Sequence, residues 1–313
     1  MHAFLFAATA ILWGSSAIVT GHQAVSGAPE VSVGYRMALV SLIMFGWCLA
    51  SGQKLGLRAV DRPWVMLQGV LFFGLAFITF YHATTLIPSG IAALILSTSS
   101  LFAALVGWLF LSAPVTGRTV AGILAGVVGL AIIALPQLAA TVSGIASDAA
   151  VTQSSLVGAV LAVAAAFCTG CGTVVAMRNQ RGGMPIAALI SWAALFGALF
   201  SFLLAVLGQM SFRVEVSAEY LMGLAYLAVF SSCLTFFMYF SLVQRIGAAS
   251  ASYTLALVPV VALILSALFE NLTLDAYILA GSAAVLVGNV LVLGGQGRPA
   301  PSAASLQMGE ERS

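Results

Sequence analysis

Charge is what this sequence has least of. Only 6% of its 313 residues are Asp, Glu, Lys or Arg, while 62% are hydrophobic. A soluble domain carries roughly 25% charged residues because water must solvate its surface. So few charges exclude a water-facing surface, and the solvent for most of this one must be lipid. The net charge of +2 is too small to attract nucleic acid. The four cysteines, Cys48, Cys168, Cys171 and Cys233, lie inside apolar runs, which excludes the disulfide framework of a small secreted domain. No basic segment precedes the first apolar run, which is long enough to span, so it predicts a retained helix and not a cleaved leader. The expected spans hold no aspartate and the chain has no H-E-x-x-H, so zinc and paired-carboxylate chemistry lack candidates. No metal, cofactor or catalytic residue is expected, and an intramembrane enzyme is strongly disfavoured.

What the chain does have is long apolar runs. A spanning helix takes ~20 mostly apolar residues, and ten segments qualify: 3–24, 32–51, 64–84, 90–111, 117–136, 155–177, 185–208, 218–243, 248–269 and 276–294. Strand-type alternation is absent, so a barrel is not expected. The tail from 295 to 313 is rich in Gly, Pro, Ser and charge, the composition of a disordered segment. With the N-terminus inside, Lys54, Arg58, Arg62, Arg118, Arg178, Arg181, Arg245, Arg298 and Arg312 all become cytoplasmic. Arg213 alone falls outside, and Arg36 lies within a span. The positive-inside rule therefore predicts both termini in the cytoplasm.

A faint duplication accompanies the ten spans. Residues 100–130 align with 259–289, pairing Phe110 with Phe269, Gly122 with Gly281 and Gly129 with Gly288; upstream, Tyr81 falls opposite Tyr239. Each half holds five spans, an odd number, so the second half must enter the membrane the opposite way. The expected architecture is an all-α membrane protein of two inverted five-helix repeats, 1–136 and 155–294, joined by a periplasmic connection at 137–154. Such carriers place their substrate between the halves.

The chain resembles the EamA family of the drug/metabolite transporter superfamily over nearly its whole length. The resemblance is carried by Leu12-Trp13-Gly14-Ser15, Tyr35-Arg36, Ile246-Gly247-Ala248-Ala249, Pro259 and Glu270-Asn271-Leu272-Thr273. It implies a ten-helix carrier in a bacterial-type inner membrane, and YddG-type amino-acid exporters are its nearest expected subtype. The implied partners are lipid and a small-molecule substrate, with amino acids, aromatic or other neutral ones, as the expected class and a monomer or homodimer both open. Ser100 stands where the family usually has proline and Ala113 where it often has glutamate, so the halves need not move equivalently. A proton-coupled exporter of cationic drugs is the nearest rival. It is disfavoured because the glutamate of small multidrug-resistance relatives is missing from the first helix.

Several side chains are candidates for the substrate cavity or its gates. Trp13, Ser16 and Thr20 form a polar stripe on helix 1, and Ser232, Thr235 and Tyr239 another on helix 8. Four consecutive hydroxyls, Ser97 to Ser100, interrupt helix 4 and cannot all face lipid. The expected cavity residues are Trp13, Ser16, Tyr81, His82, Ser97, Ser100, Tyr239 and Tyr253, with Tyr81, Tyr239 and Pro259 as gating positions. Interhelical hydrogen bonding is the competing reading for each hydroxyl. Arg36 reads as an interfacial anchor, with a gate or a substrate-carboxylate contact as the alternative. Cys168 and Cys171, and the glycines of helices 5 and 6, read as packing. With no buried carboxylate expected, proton coupling would run through His82 or be absent. Pro259 predicts a bend at 255–259 in helix 9 and a straighter helix 4.

Overall fold

The structure, a computed structural model, describes residues 2–111, 115–143, 149–181, 183–213, 217–246 and 248–295. Ten rods follow one another: α1 (His2–Ala24), α2 (Pro29–Ala50), α3 (Arg62–Thr84), α4 (89–111), α5 (Gly117–Ser143), α6 (Ala149–Arg181), α7 (Ile186–Leu207), α8 (218–246), α9 (Ala248–Phe269) and α10 (Ala276–Gly295). Nine contain a stretch long and apolar enough to cross a membrane, and the apolar part of α9 runs Tyr253–Phe269. No strand occurs among the described residues. Large apolar side chains such as Phe4, Leu49, Phe110, Leu207 and Leu268 stand fully outward, the surface expected of a bundle immersed in hydrocarbon.

Helix continues beyond the expected ends of two spans. α5 reaches Ser143 and α6 starts at Ala149, so much of 137–154 is helical. Alanine is frequent on both flanks, and its high helix propensity carries the helices past the apolar core. The tail expected to be disordered lies, beyond Gly295, outside the described residues.

Small residues set the closest helix approaches. A Cβ added to Gly122 would meet the carbonyl of Gly288 at 2.6 Å, and one on Gly129 would meet that of Gly281 at 2.6 Å. Gly281 and Gly288 meet the carbonyls of Gly129 and Gly122 in return. In lipid this van der Waals contact replaces the hydrophobic drive. The pairing is reciprocal under the sequence alignment, which sets Gly122 opposite Gly281 and Gly129 opposite Gly288; that is the signature of a two-fold relation. A second set of contacts follows the same rule. Gly14 of α1 abuts the Val258 carbonyl and Val261, and Gly170 of α6 abuts the Ser99 carbonyl and Phe102. Extending the alignment pairs Ser99 with Val258 and Phe102 with Val261.

α3 and α8 share another feature. Each changes from α to π geometry in mid-span, at Gly69–Leu75 and at Tyr226–Leu234. The hydroxyls of Ser232 and Thr235 donate to the carbonyls five residues back, Leu227 at 2.8 Å and Phe230 at 2.6 Å. π segments are rare and concentrate at functional sites.

Pro259 was expected to bend helix 9 and helix 4 to stay straighter; α4 is instead the helix that is interrupted. α9 is helical through Pro259, whereas α4 breaks at Thr98 into Ser89–Ser97 and Ser99–Leu111. The hydroxyl run is the physical reason. Ser97 Oγ donates to the Leu94 carbonyl at 2.6 Å and Thr98 Oγ1 to that of Ile95 at 2.6 Å. These bonds compete with the helix ladder, and Thr98 N turns to Ile95 O at 3.0 Å.

Candidate substrate pathway

At one end of the bundle the short connections 25–28, 85–88 and 270–275 lie together, and polar side chains bind the helices to each other. Tyr81 of α3, fully buried, donates its hydroxyl to Gln23 Oε1 of α1 at 2.7 Å. His82 Nε2 lies 2.8 Å from Glu30 Oε1 at the start of α2. Ser32 Oγ of α2 and the Tyr220 hydroxyl of α8 are 3.0 Å apart. Glu270 follows the end of α9, where Asn271 takes a positive φ of 54° and Leu272 N returns to Ser266 O at 3.3 Å. That turn, a helix C-cap, aims the Glu270 carboxylate at Ser89, whose backbone N–H it accepts at 2.9 Å, and at the Ser266 hydroxyl. Glu270 thus caps the first turn of α4, where four backbone N–H groups lack intrahelical partners.

Glu30 corrects the expectation that no carboxylate is buried. It is 6% exposed, and its Oε2 has no hydrogen-bond partner among the described residues. The expected span begins at 32, past the Pro29-Glu30 pair. Pro29 occupies the first turn of α2 and Glu30 follows it inside the helix. Proline and an acidic residue in the first turn are a helix-start signal, and reading it would have drawn Glu30 in.

Deeper in the bundle sits Arg36, which is 3% exposed and therefore no headgroup anchor. Its guanidinium lies 4.6 Å from the centre of the Phe77 ring, and Nη2 donates to Ser232 Oγ at a long 3.4 Å. Nε has no partner. Among the described residues the ion pairs are Arg58–Asp61, His82–Glu30 and Arg178–Asp61, and Arg36 is in none of them. Burying one cation costs several kcal/mol even after relaxation. A desolvated cation–π contact returns about 2 kcal/mol, and one long hydrogen bond returns less than the 1.5–3 kcal/mol of a good charged one. The charge is left undercompensated.

Toward the middle, Trp13 of α1 packs on two α8 rings, Phe236 at 5.7 Å and Tyr239 at 5.4 Å between centroids. Ser15 Oγ meets the Tyr226 hydroxyl at 2.6 Å. Ser16 back-bonds to the Trp13 carbonyl at 2.6 Å and is half-buried. The structure thus brings Trp13 and Tyr239 together across α1 and α8, and puts Tyr81 and His82 in the polar end.

Three expected cavity residues lie against α10. Ser100 Oγ donates to Asn289 Oδ1 at 2.8 Å, and Asn289 Nδ2 donates to Ser97 Oγ at 2.9 Å. These are the interhelical bonds that the competing reading anticipated. Tyr253 is 42% exposed, and its hydroxyl stands near Gly294. Sequence reasoning missed Gln23, Glu30, Ser32, Tyr220 and Asn289. Of these, Asn289 carried a signal, being a lone amide in an apolar helix.

The opposite end holds a charged cluster. Asp61 accepts from Arg58 Nε at 2.7 Å and from Arg178 Nη1 at 3.0 Å. Arg178 lies 4.7 Å from the Trp64 ring centre, and Asn179 donates to Gln68 Oε1 at 3.0 Å. The Arg58 hydrogen bond, aided by that of Arg178, holds the Asp61 carboxyl below the ordinary carboxylate range against the opposing effect of burial. Among the described residues no three His, Cys, Asp or Glu side chains cluster as metal ligands. All four cysteines are free.

Comparison with known proteins adds to this geometry. The EamA-like transporter family matches residues 1–135 and again 156–294. Protein PecM of Dickeya dadantii (strain 3937) is 26% identical over 283 residues, covering 90% of this chain and 86% of PecM. A solved crystal structure at 18% identity covers 100% of this chain and 99% of its own, with a TM-score of 0.62. At that identity the likeness is one of fold.

Proposed function

The chain belongs to the EamA-like transporter family and is a multi-pass membrane protein; from that premise we propose that it exports neutral amino acids and similar small metabolites by alternating access. The observation that supports this reading most is the reciprocal pairing of Gly122 with Gly288 and Gly129 with Gly281. Two halves related in this way, in opposite orientations, offer two packings of similar energy, and rocking between them exposes a central site to each side in turn. In this account the repeats span 1–136 and 155–294, and the termini are cytoplasmic in a bacterial-type inner membrane. The Tyr81–Gln23, His82–Glu30 and Ser32–Tyr220 contacts form the closed outer gate. Trp13, Ser16 and Tyr239 line the inner part of the path, and the aromatic faces there suit an apolar side chain.

A second reading is export of amphiphilic cations coupled to protons, and the buried Glu30 favours it, since an intramembrane carboxylate can carry a proton. Purified protein in liposomes, assayed with labelled phenylalanine, leucine, threonine and a cationic dye, separates the two. Uptake of amino acids that an excess of dye does not inhibit supports the first. Dye movement driven by a pH gradient, with no amino-acid flux, would replace it with the second.

A further inference from the structure

Arg36 is a strongly basic group held inside the bundle with its charge unanswered. Its Cα lies seven residues into α2, or ~10 Å along the axis at 1.5 Å per residue. Its guanidinium reaches further, to Ser232 in the π segment of α8. It also lies against Phe77, two residues beyond the π segment of α3. The cation therefore sits where the two π-distorted helices, one from each half, approach α2.

A guanidinium presents five N–H donors in a planar fork. Phe77 covers its face, and Ser232 takes one donor through a long bond, its own hydroxyl being spent on the Leu227 carbonyl. The Nε donor is buried and unpaired. The neighbouring Ser231 hydroxyl is buried and unpaired as well. No Asp or Glu forms an ion pair with Arg36 among the described residues. Glu30, six residues earlier on α2, pairs through Oε1 with His82 and not with Arg36. An ionised group in a membrane interior normally finds a counter-charge within the protein. Where none is supplied, the fitting partner is an anion that arrives and departs. One guanidinium with no second cation paired to it matches a monoanion, and its fork matches the two oxygens of a carboxylate.

We propose that Arg36 docks the carboxylate of the transported molecule, with Phe77 holding the guanidinium plane and Ser232 fixing its rotation. This rests on the carrier reading and narrows its substrate to acids, including zwitterionic amino acids.

The test uses purified full-length protein in detergent and follows its thermal unfolding midpoint against matched acids and amides. The pairs are L-phenylalanine with L-phenylalaninamide, L-leucine with L-leucinamide, and 3-phenylpropionate with 3-phenylpropionamide. At least one acid raises the midpoint, and its amide at equal concentration does not. Arg36→Gln abolishes that preference. Arg36→Lys keeps the charge and loses the fork, so it binds the same acid roughly 10-fold more weakly while still preferring acid to amide. Should Arg36→Gln fail to fold, the weakened but retained preference of Arg36→Lys decides the matter. A merely structural Arg36 would shift the ligand-free midpoint and leave the acid-over-amide ratio intact. Amides that stabilise as well as acids, both variants keeping the wild-type affinity, or no acid stabilising the protein would each overturn the proposal. If 3-phenylpropionate binds through Arg36 and neither amino acid does, the amino-acid reading falls and the carboxylate site stands.

Discussion

Glu30 and His82 hold each other at 2.8 Å across the α2–α3 contact, the carboxylate side chain 8% exposed and the imidazole 39%. One partner faces the interior and the other reaches solvent, which is the arrangement a proton path needs. With no carboxylate expected inside, the sequence leaves proton coupling to run through His82 or be absent, and transport facilitative or only weakly pH-dependent. The buried Glu30 removes that premise. Transport should carry a pH-dependent step that runs through this pair. Glu30→Gln and His82→Ala should each flatten it. Initial uptake rates into liposomes over a series of pH values check this, and a step that survives both variants would place the proton elsewhere.

Asn289 serves two hydroxyls of the broken α4 at once. Asn289→Leu should cost about 0.6–1.7 kcal/mol, the range measured for hydrogen bonds between membrane helices. A lowered thermal midpoint in detergent reads it out. Unchanged stability would mean that Ser97 and Ser100 find other partners.

The α5–α10 seam sets a steric prediction. Gly129→Val and Gly281→Val drive a side chain onto a facing carbonyl and should each destabilise the protein by about 1–3 kcal/mol. Gly46 of α2 has nothing within 4 Å of its added Cβ. Gly46→Ala should be neutral or stabilising by up to ~1 kcal/mol. Similar losses at Gly129 and Gly281 are what the two-fold relation requires.

The Asp61 carboxyl is depressed in the folded state. Its stabilising effect is therefore complete above the unfolded value of about 3.9 and is lost as pH falls through the lower folded value. Asp61→Asn should lose stability at neutral pH and show a shallower decline on the acid side. Unfolding midpoints measured from pH 7 down to about 3 compare the two slopes.

Much of the fold was legible because lipid imposes a length and an apolar composition on every span, and those can be read directly. The glycine spacing of α5 and α10 was legible for a related reason: small residues are what let helices touch in hydrocarbon. The polar end was less so. Glu30 precedes the expected start of its span, and Gln23 and Tyr220 take their partners from other helices, which local sequence does not encode. The break in α4 was not expected, because no proline stands within that helix. Back-bonding from Ser97 and Thr98 interrupts α4, while α9 stays helical through Pro259. Arg36 announced itself by charge alone, but its burial depends on α3 and α8 folding over it, which no local pattern encodes.

Counterflow tests the carrier claim most directly. Liposomes holding the purified protein are loaded with unlabelled phenylalanine or leucine and diluted into a trace of the same labelled amino acid. A carrier that alternates between two faces should accumulate label transiently above its equilibrium level, and protein-free liposomes should not. Label that rises only to equilibrium, at the same rate with or without the internal load, would contradict alternating access and indicate an open pathway.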